Sequence, residues 1–229
     1  MSEVTASGPD SRDGVVLVVD DHELVGSSMV LALLTRGIDA HRCRVTSTQD
    51  ILENADHIGR HGVVLLDLDL GLGSTGVRVD EIALVRGFSA RGWRVLVVSA
   101  ATDRRRVAAA VAAGAVGYVA KSAPLEDLLD TVSVAAAGQA VMPTAERTSW
   151  LALHQRESSA AHQVQAKLRR LTSRERQILE LLARGERAAA IAETAVVSLT
   201  TVRSQIRSIL TKLEVNSQLE AVALLRDEL

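Results

Sequence analysis

The sequence predicts an α/β domain built on a five-stranded doubly wound parallel sheet, followed by a small all-α domain of four helices. Three observations carry the prediction. Runs at Val15–Val19, Val63–Leu66 and Val95–Val98 are continuously apolar, as strands covered on both faces must be. Helical patterns with readable ends lie between such runs, the alternation that builds a parallel sheet. Beyond residue 167 the apolar period is helical throughout.

Taken in order, residues 1–14 are polar, hold Gly8 and Pro9, and read as a flexible tail without the apolar run of a signal peptide. The first strand, Val15–Val19, ends at Asp20 and Asp21. A weaker strand candidate, Ile38–Val45, precedes a capping-box-like helix start at Ser47 and Asp50. The third strand ends at Asp67 and the fourth at Ser99. Thr102 and Asp103 then open a helix that Gly114 closes. A weaker fifth strand, Ala115–Ala120, ends at Lys121, and Pro124 sits at the first turn of a helix reaching Gly138. Over residues 139–166 the regular pattern weakens, and Ser158–Ser159–Ala160–Ala161 marks a linker with some helical content. The domains therefore fall at 15–138 and 167–229. In the second, helices are expected near 173–184, 188–194, 199–213 and 217–228, with capping boxes at Thr172–Glu175 and Ser217–Glu220.

Composition narrows the class. With 47% hydrophobic and 24% charged residues, the 229-residue chain has enough apolar surface to fold and gives no case for wholesale disorder. Aromatics are only 2%, so Val, Leu, Ala and Ile must fill the interior. A single cysteine, Cys43, excludes an internal disulfide framework and a cysteine-cluster metal site, and reads as a small buried apolar residue. The longest purely apolar stretch, Val107–Ala113, is far shorter than the ~18 residues of a membrane span, so a cytoplasmic protein is expected. The net charge of −2 hides a division. Residues 1–140 carry 13 Lys/Arg against 18 Asp/Glu, whereas residues 167–229 carry 11 against 8. The basic half is the candidate for a phosphate-rich partner.

In a parallel sheet the carboxyl ends of the strands share one edge, where ligands bind. Asp20, Asp21, Asp67, Ser99 and Lys121 all fall at strand ends and should meet there. Crowded carboxylates repel one another unless a hard divalent cation neutralises them, and oxygen-only ligands favour Mg²⁺. An aspartate beside such a cation can attack a phosphoryl donor, while a lysine stabilises the charge of the transferring group. The bland alternative is a set of solvated strand-end acids, which accounts for any one aspartate better than for all five residues together.

The motifs VLVVDDHELV (16–25), VVLLDLDLG (63–71), VLVVSAA (95–101) and GAVGYVAKS (114–122) resemble the receiver family in order and spacing, over nearly all of residues 15–138. That resemblance implies a flavodoxin-like fold, Asp67 as phosphoacceptor for a sensor histidine kinase, and Asp21 as a direct Mg²⁺ ligand. It implies that Asp20 acts through water and that the backbone carbonyl of Asp69 completes the protein ligands. Lys121 would pair with the phosphoryl group, Ser99 would hydrogen-bond it, and Tyr118 would turn inward as Ser99 moves. The loop after Asp67 departs from the family's Met-Pro-Gly turn with Gly71, Gly73 and Gly76, and Asp69 adds an acid. These departures bear on phosphoryl lifetime and donor choice. Arg104–Arg105–Arg106 reads as a solvated helix face, with partner binding the alternative.

On the helix after Ser198, Val202, Ile206, Ile209, Leu210 and Leu213 share one face at about 100° per residue. Thr200, Ser204, Arg207, Ser208 and Thr211 lie opposite, with Arg203 on the flank. Such a helix fits a major groove. Residues 171–222, including Leu171–Thr172–Ser173–Arg174–Glu175, Ile191–Ala192 and Thr201–Val202–Arg203, resemble the LuxR-type helix-turn-helix of NarL/FixJ regulators. The resemblance implies base contacts by Arg203, Ser204 and Arg207, and a homodimer through the last helix. Thr200 and Thr201 suit phosphate contacts at a helix start. Ala188–Ala189–Ala190 stands where the family carries polar and basic residues, which predicts a shallow salt dependence. Two rivals remain open. Asp67-Leu68-Asp69 matches the DxD pattern of haloacid-dehalogenase phosphatases, a chemistry that leaves Asp20–Asp21 and the helix-turn-helix unexplained. A regulator that binds DNA without phosphorylation is the other.

Overall fold

The computed structural model describes residues 14–58, 62–74, 76–100 and 103–226, so residues 1–13 of the expected tail, Thr102 and the end of the last expected helix lie outside it. The chain divides into two compact units, residues 1–154 and 155–229. In the first, β1 (Val16–Val19), β2 (Ala40–Cys43), β3 (Val63–Asp67), β4 (Arg94–Ser99) and β5 (Gly117–Ala120) form one sheet ordered β2-β1-β3-β4-β5. Every neighbouring pair is parallel. The three continuous apolar runs of the sequence are the three central strands, while the two weaker candidates are edge strands that are only partly buried.

Side-chain alternation splits the interior into two cores. Val16, Val18, Val63, Leu65, Leu96 and Val98 point to the face covered by α1 (Glu23–Thr35) and α5 (Leu125–Ala136). Leu17, Val19, Val64, Leu66, Val95 and Val97 point to the opposite face, under α2 (Thr48–Ile58), α3 (Glu81–Ala90) and α4 (Arg104–Ala113). Each buried Val or Leu contributes about 1.5–3 kcal/mol against leaving it exposed, so both faces must be covered. The few aromatics concentrate in the second core, where Phe88 meets Trp93 edge-on at 6.2 Å. Cys43 is buried there as well, and burial pushes its thiol up to about 11, with Arg42 and Asn54 acting in the opposite direction.

The stretch read as linker holds α6 (Thr144–Leu168), a 25-residue helix. Its pattern is weak in sequence because no single apolar stripe runs along it. Trp150 and Leu153 belong to the core of the first unit, and Val164 and Leu168 to that of the second.

The second unit also contains α7 (Ser173–Ala183), α8 (Ala188–Thr194), α9 (Leu199–Leu213) and α10 (Gln218–Arg226). Thr172 and Glu175 form the reciprocal capping box at α7. At α10, Ser217 accepts from the Glu220 amide, but Glu220 accepts from Asn216 N–H, one residue earlier than the box requires. The core is built on Ile178, Leu179, Ile191, Val202, Ile206, Ile209 and Leu213.

Candidate metal centre and nucleic-acid interface

The parallel topology brings the carboxyl ends of β1, β3, β4 and β5 to one edge. Asp20, Asp67 and Ser99 are buried there, while Asp21 and Lys121 are exposed. Lys121 Nζ stands 2.8 Å from Asp67 Oδ2, and the Asp69 amide donates to Asp67 Oδ1 at 3.0 Å. The His22 amide donates to Asp20 Oδ1 at 2.7 Å. One ligand atom each from Asp20, Asp21, His22 and Asp67 lies within 4.8 Å of the others. Three carboxylates at that spacing, beside a single lysine, suit a divalent cation.

Burial pushes the Asp67 carboxyl above its usual range, partly offset by Lys121 and the Asp69 amide, with Asp20 adding to the rise. For Lys121 burial acts downward and Asp67 more than reverses it, so the ammonium is held up. A divalent cation among these acids would oppose the rise at Asp67. Ser99 Oγ is turned to the Ala100 carbonyl at 3.4 Å, and Tyr118 is half-buried on β5. Beside Asp20 and Lys121 opens a depression lined by Val25, Met29, Leu125 and Leu128.

Asp69 itself turns outward, its side chain 77% exposed, with Arg106 Nη1 3.7 Å from its carboxylate. Arg106 also donates to Glu81 Oε1 at 3.0 Å, and that oxygen accepts from the Leu70 amide at 3.2 Å. The Arg104–Arg106 run is therefore no plain solvated face, because Arg106 ties α4 to the loop after Asp67 and Arg104 lies over the Trp150 ring at 5.0 Å. Glu81 and His22 escaped the sequence reading, and Arg106 entered it only as part of a solvated face. His22 alone left a signal, standing next to Asp20–Asp21 at a strand end. The glycine-rich loop has a steric origin: a Cβ on Gly73 would lie 1.6 Å from the Thr46 carbonyl oxygen, and Gly71 takes φ +55°.

In the second unit, Ser198 caps α9 by accepting from the Thr201 amide at 3.0 Å, and its hydroxyl lies 2.8 Å from that of Thr201. Thr200, Thr201, Arg203, Ser204 and Arg207 are all exposed. Val202, Ile206, Ile209 and Leu213 are buried, and Leu210 packs at the margin. Ser208 leaves the outward set: its hydroxyl donates to buried Glu175 at 2.7 Å, beside Lys212 at 2.7 Å.

The family model described as the response regulator receiver domain matches residues 16–133, and that described as bacterial regulatory proteins, luxR family, matches residues 169–225. The chain belongs to the two-component response regulators of NarL/FixJ type, a receiver followed by a LuxR-type DNA-binding domain. Among its relatives, the nitrate/nitrite response regulator protein NarL of Escherichia coli K12 is 30% identical over 220 residues, covering 96% of this chain and 98% of that one. The glycerol metabolism activator of Pseudomonas putida is 27% identical over 215 residues, covering 90% and 92%. In fold, a structure of the RcsB response regulator of Salmonella typhimurium matches with a TM-score of 0.51 at 20% identity, covering 93% and 99%. The family is one of transcription regulators, and among the described residues no helix is long and apolar enough to cross a membrane.

Proposed function

We propose that Asp67 accepts a phosphoryl group from a sensor histidine kinase and that the modification controls sequence-specific DNA binding by α9. The observation that supports this most directly is the Lys121–Asp67 contact at 2.8 Å inside a cluster of acids. Asp20, Asp21, Asp67 and the Asp69 backbone carbonyl would hold Mg²⁺, which when bound supplies charge neutralisation for phosphoryl transfer. An Asp67 carboxylate oxygen attacks phosphorus, an acyl phosphate bond forms, and the bond to the donor imidazole breaks. The Lys121 ammonium leaves its ion pair to neutralise the new dianion, and Ser99 turns its hydroxyl toward it. Tyr118 then fills the space that Ser99 vacates. The chemistry ends there, so the chain acts as a cytoplasmic regulator and not as an enzyme.

On DNA, Arg203, Ser204 and Arg207 read base edges, and Thr200 and Thr201 contact phosphate at the helix start. α10 pairs two copies so that two half-sites are read together. The test is mass spectrometry of the chain incubated with acetyl phosphate and Mg²⁺. A phosphoryl adduct on the peptide containing Asp67, lost in Asp67→Asn and without Mg²⁺, is expected. An adduct elsewhere, or none, overturns the reading.

A further inference from the structure

An oxygen-only donor set favours Mg²⁺, but one side chain at the carboxyl edge of the sheet offers nitrogen. His22 stands where the chain leaves Asp20 and Asp21 and enters α1. It is the N-cap residue, with extended backbone, and its side chain makes no capping bond to the helix. The ring is turned to the acids instead: Nδ1 lies 2.9 Å from Asp21 Oδ1 and 3.5 Å from Asp20 Oδ1. A simple ion pair needs one carboxylate, whereas this ring faces two and shares with Asp67 the group whose ligand atoms all lie within 4.8 Å of one another.

Resting on the metal centre read above, we propose that His22 Nδ1 is a further ligand of the ion held by Asp20, Asp21 and Asp67, and that it makes the centre prefer a first-row transition dication, such as Mn²⁺, to Mg²⁺. Ligands about 2.1 Å from one ion stand about 3.0 Å apart when adjacent and about 4.2 Å apart when opposite. The separation of Nδ1 from Asp21 already matches the adjacent value, and a closure of about half an ångström brings Asp20 to it. A cation among mutually repelling carboxylates supplies that closure. Mg²⁺ prefers oxygen and gives up its water reluctantly, so an imidazole adds little to its affinity. A first-row transition dication accepts imidazole and carboxylate together, so the same ring adds a bond. The His22 side chain is 63% exposed, and ligation would fix the start of α1 to the centre.

The test uses the full chain with Mn²⁺ as the probe. Electron spin-echo spectroscopy of the bound Mn²⁺ should show coupling to one imidazole nitrogen, and His22→Gln should abolish it. In calorimetric titrations, His22→Gln should weaken Mn²⁺ binding about tenfold or more and Mg²⁺ binding about twofold or less. The substitution keeps the local backbone bonds, because it is the His22 amide, not its ring, that donates to Asp20. Mn²⁺ bound without nitrogen coupling, or with coupling that persists in His22→Gln, overturns the His22 assignment and leaves a carboxylate metal centre standing. An equal loss for both ions overturns the selectivity. Failure of both ions to bind the unsubstituted chain overturns the metal centre itself.

Discussion

Glu175 shows how much one carboxylate can hold together. It accepts from the Thr172 amide at 2.7 Å, from Ser208 and from Lys212, joining the start of α7 to the middle of α9. Burial alone would raise its carboxyl, but the Lys212, Thr172 and Ser208 hydrogen bonds outweigh burial and hold it at about 2, below the ordinary 4.5. A depressed folded pKa gives stability that is full above about 4.5 and is lost as pH falls toward about 2, on the order of 2–3 kcal/mol. Calorimetry should therefore show Glu175→Gln lowering the second unit's transition at pH 7 and differing little from wild type only near pH 2. Equal differences at both pH values would contradict this. Val196 is the opposite case. It takes φ +53° with 91% exposure, so a β-branched side chain bears left-handed strain without packing in return. Val196→Asn should stabilise the chain by about 0.5–1 kcal/mol, read as a raised melting temperature. Neither feature was legible in the sequence beyond the Thr172–Glu175 box, because a valine announces no left-handed turn and a buried ion pair leaves no local pattern.

At the scale of elements, α4 is held by what its first turn touches. Removing Arg106 takes from the Glu81 carboxylate, 11% exposed, the guanidinium that contacts it at 3.0 Å. Arg106→Ala should cost about 1–3 kcal/mol of receiver stability in urea unfolding followed by tryptophan fluorescence, and a loss near zero would mean that the pair is solvated. The strands were legible because burial on both faces writes itself as a continuous apolar run. The meeting of their carboxyl ends was legible because topology alone brings Asp20, Asp67, Ser99 and Lys121 to one edge. α6 was not, since its apolar residues serve two cores in turn, and a period search sees no stripe. Arg104 and Arg106 were misread for a related reason: their partners, Trp150, Glu81 and Asp69, are distant in sequence.

For the whole molecule, the acidic receiver and the mildly basic second domain divide the work between a phosphoryl donor and DNA. Arg207→Ala should weaken operator binding by about 1–3 kcal/mol and relax preference at one position, measured by competition between operator variants. Uniform weakening across all sequences would make Arg207 a phosphate contact instead. The central claim is that charge added at Asp67 changes how tightly α9 holds DNA, and the most direct test is affinity for the bound operator with and without beryllofluoride, in wild type and Asp67→Asn. The mimic should raise wild-type affinity about tenfold or more and leave Asp67→Asn unchanged. Equal affinities in all four conditions would contradict the account.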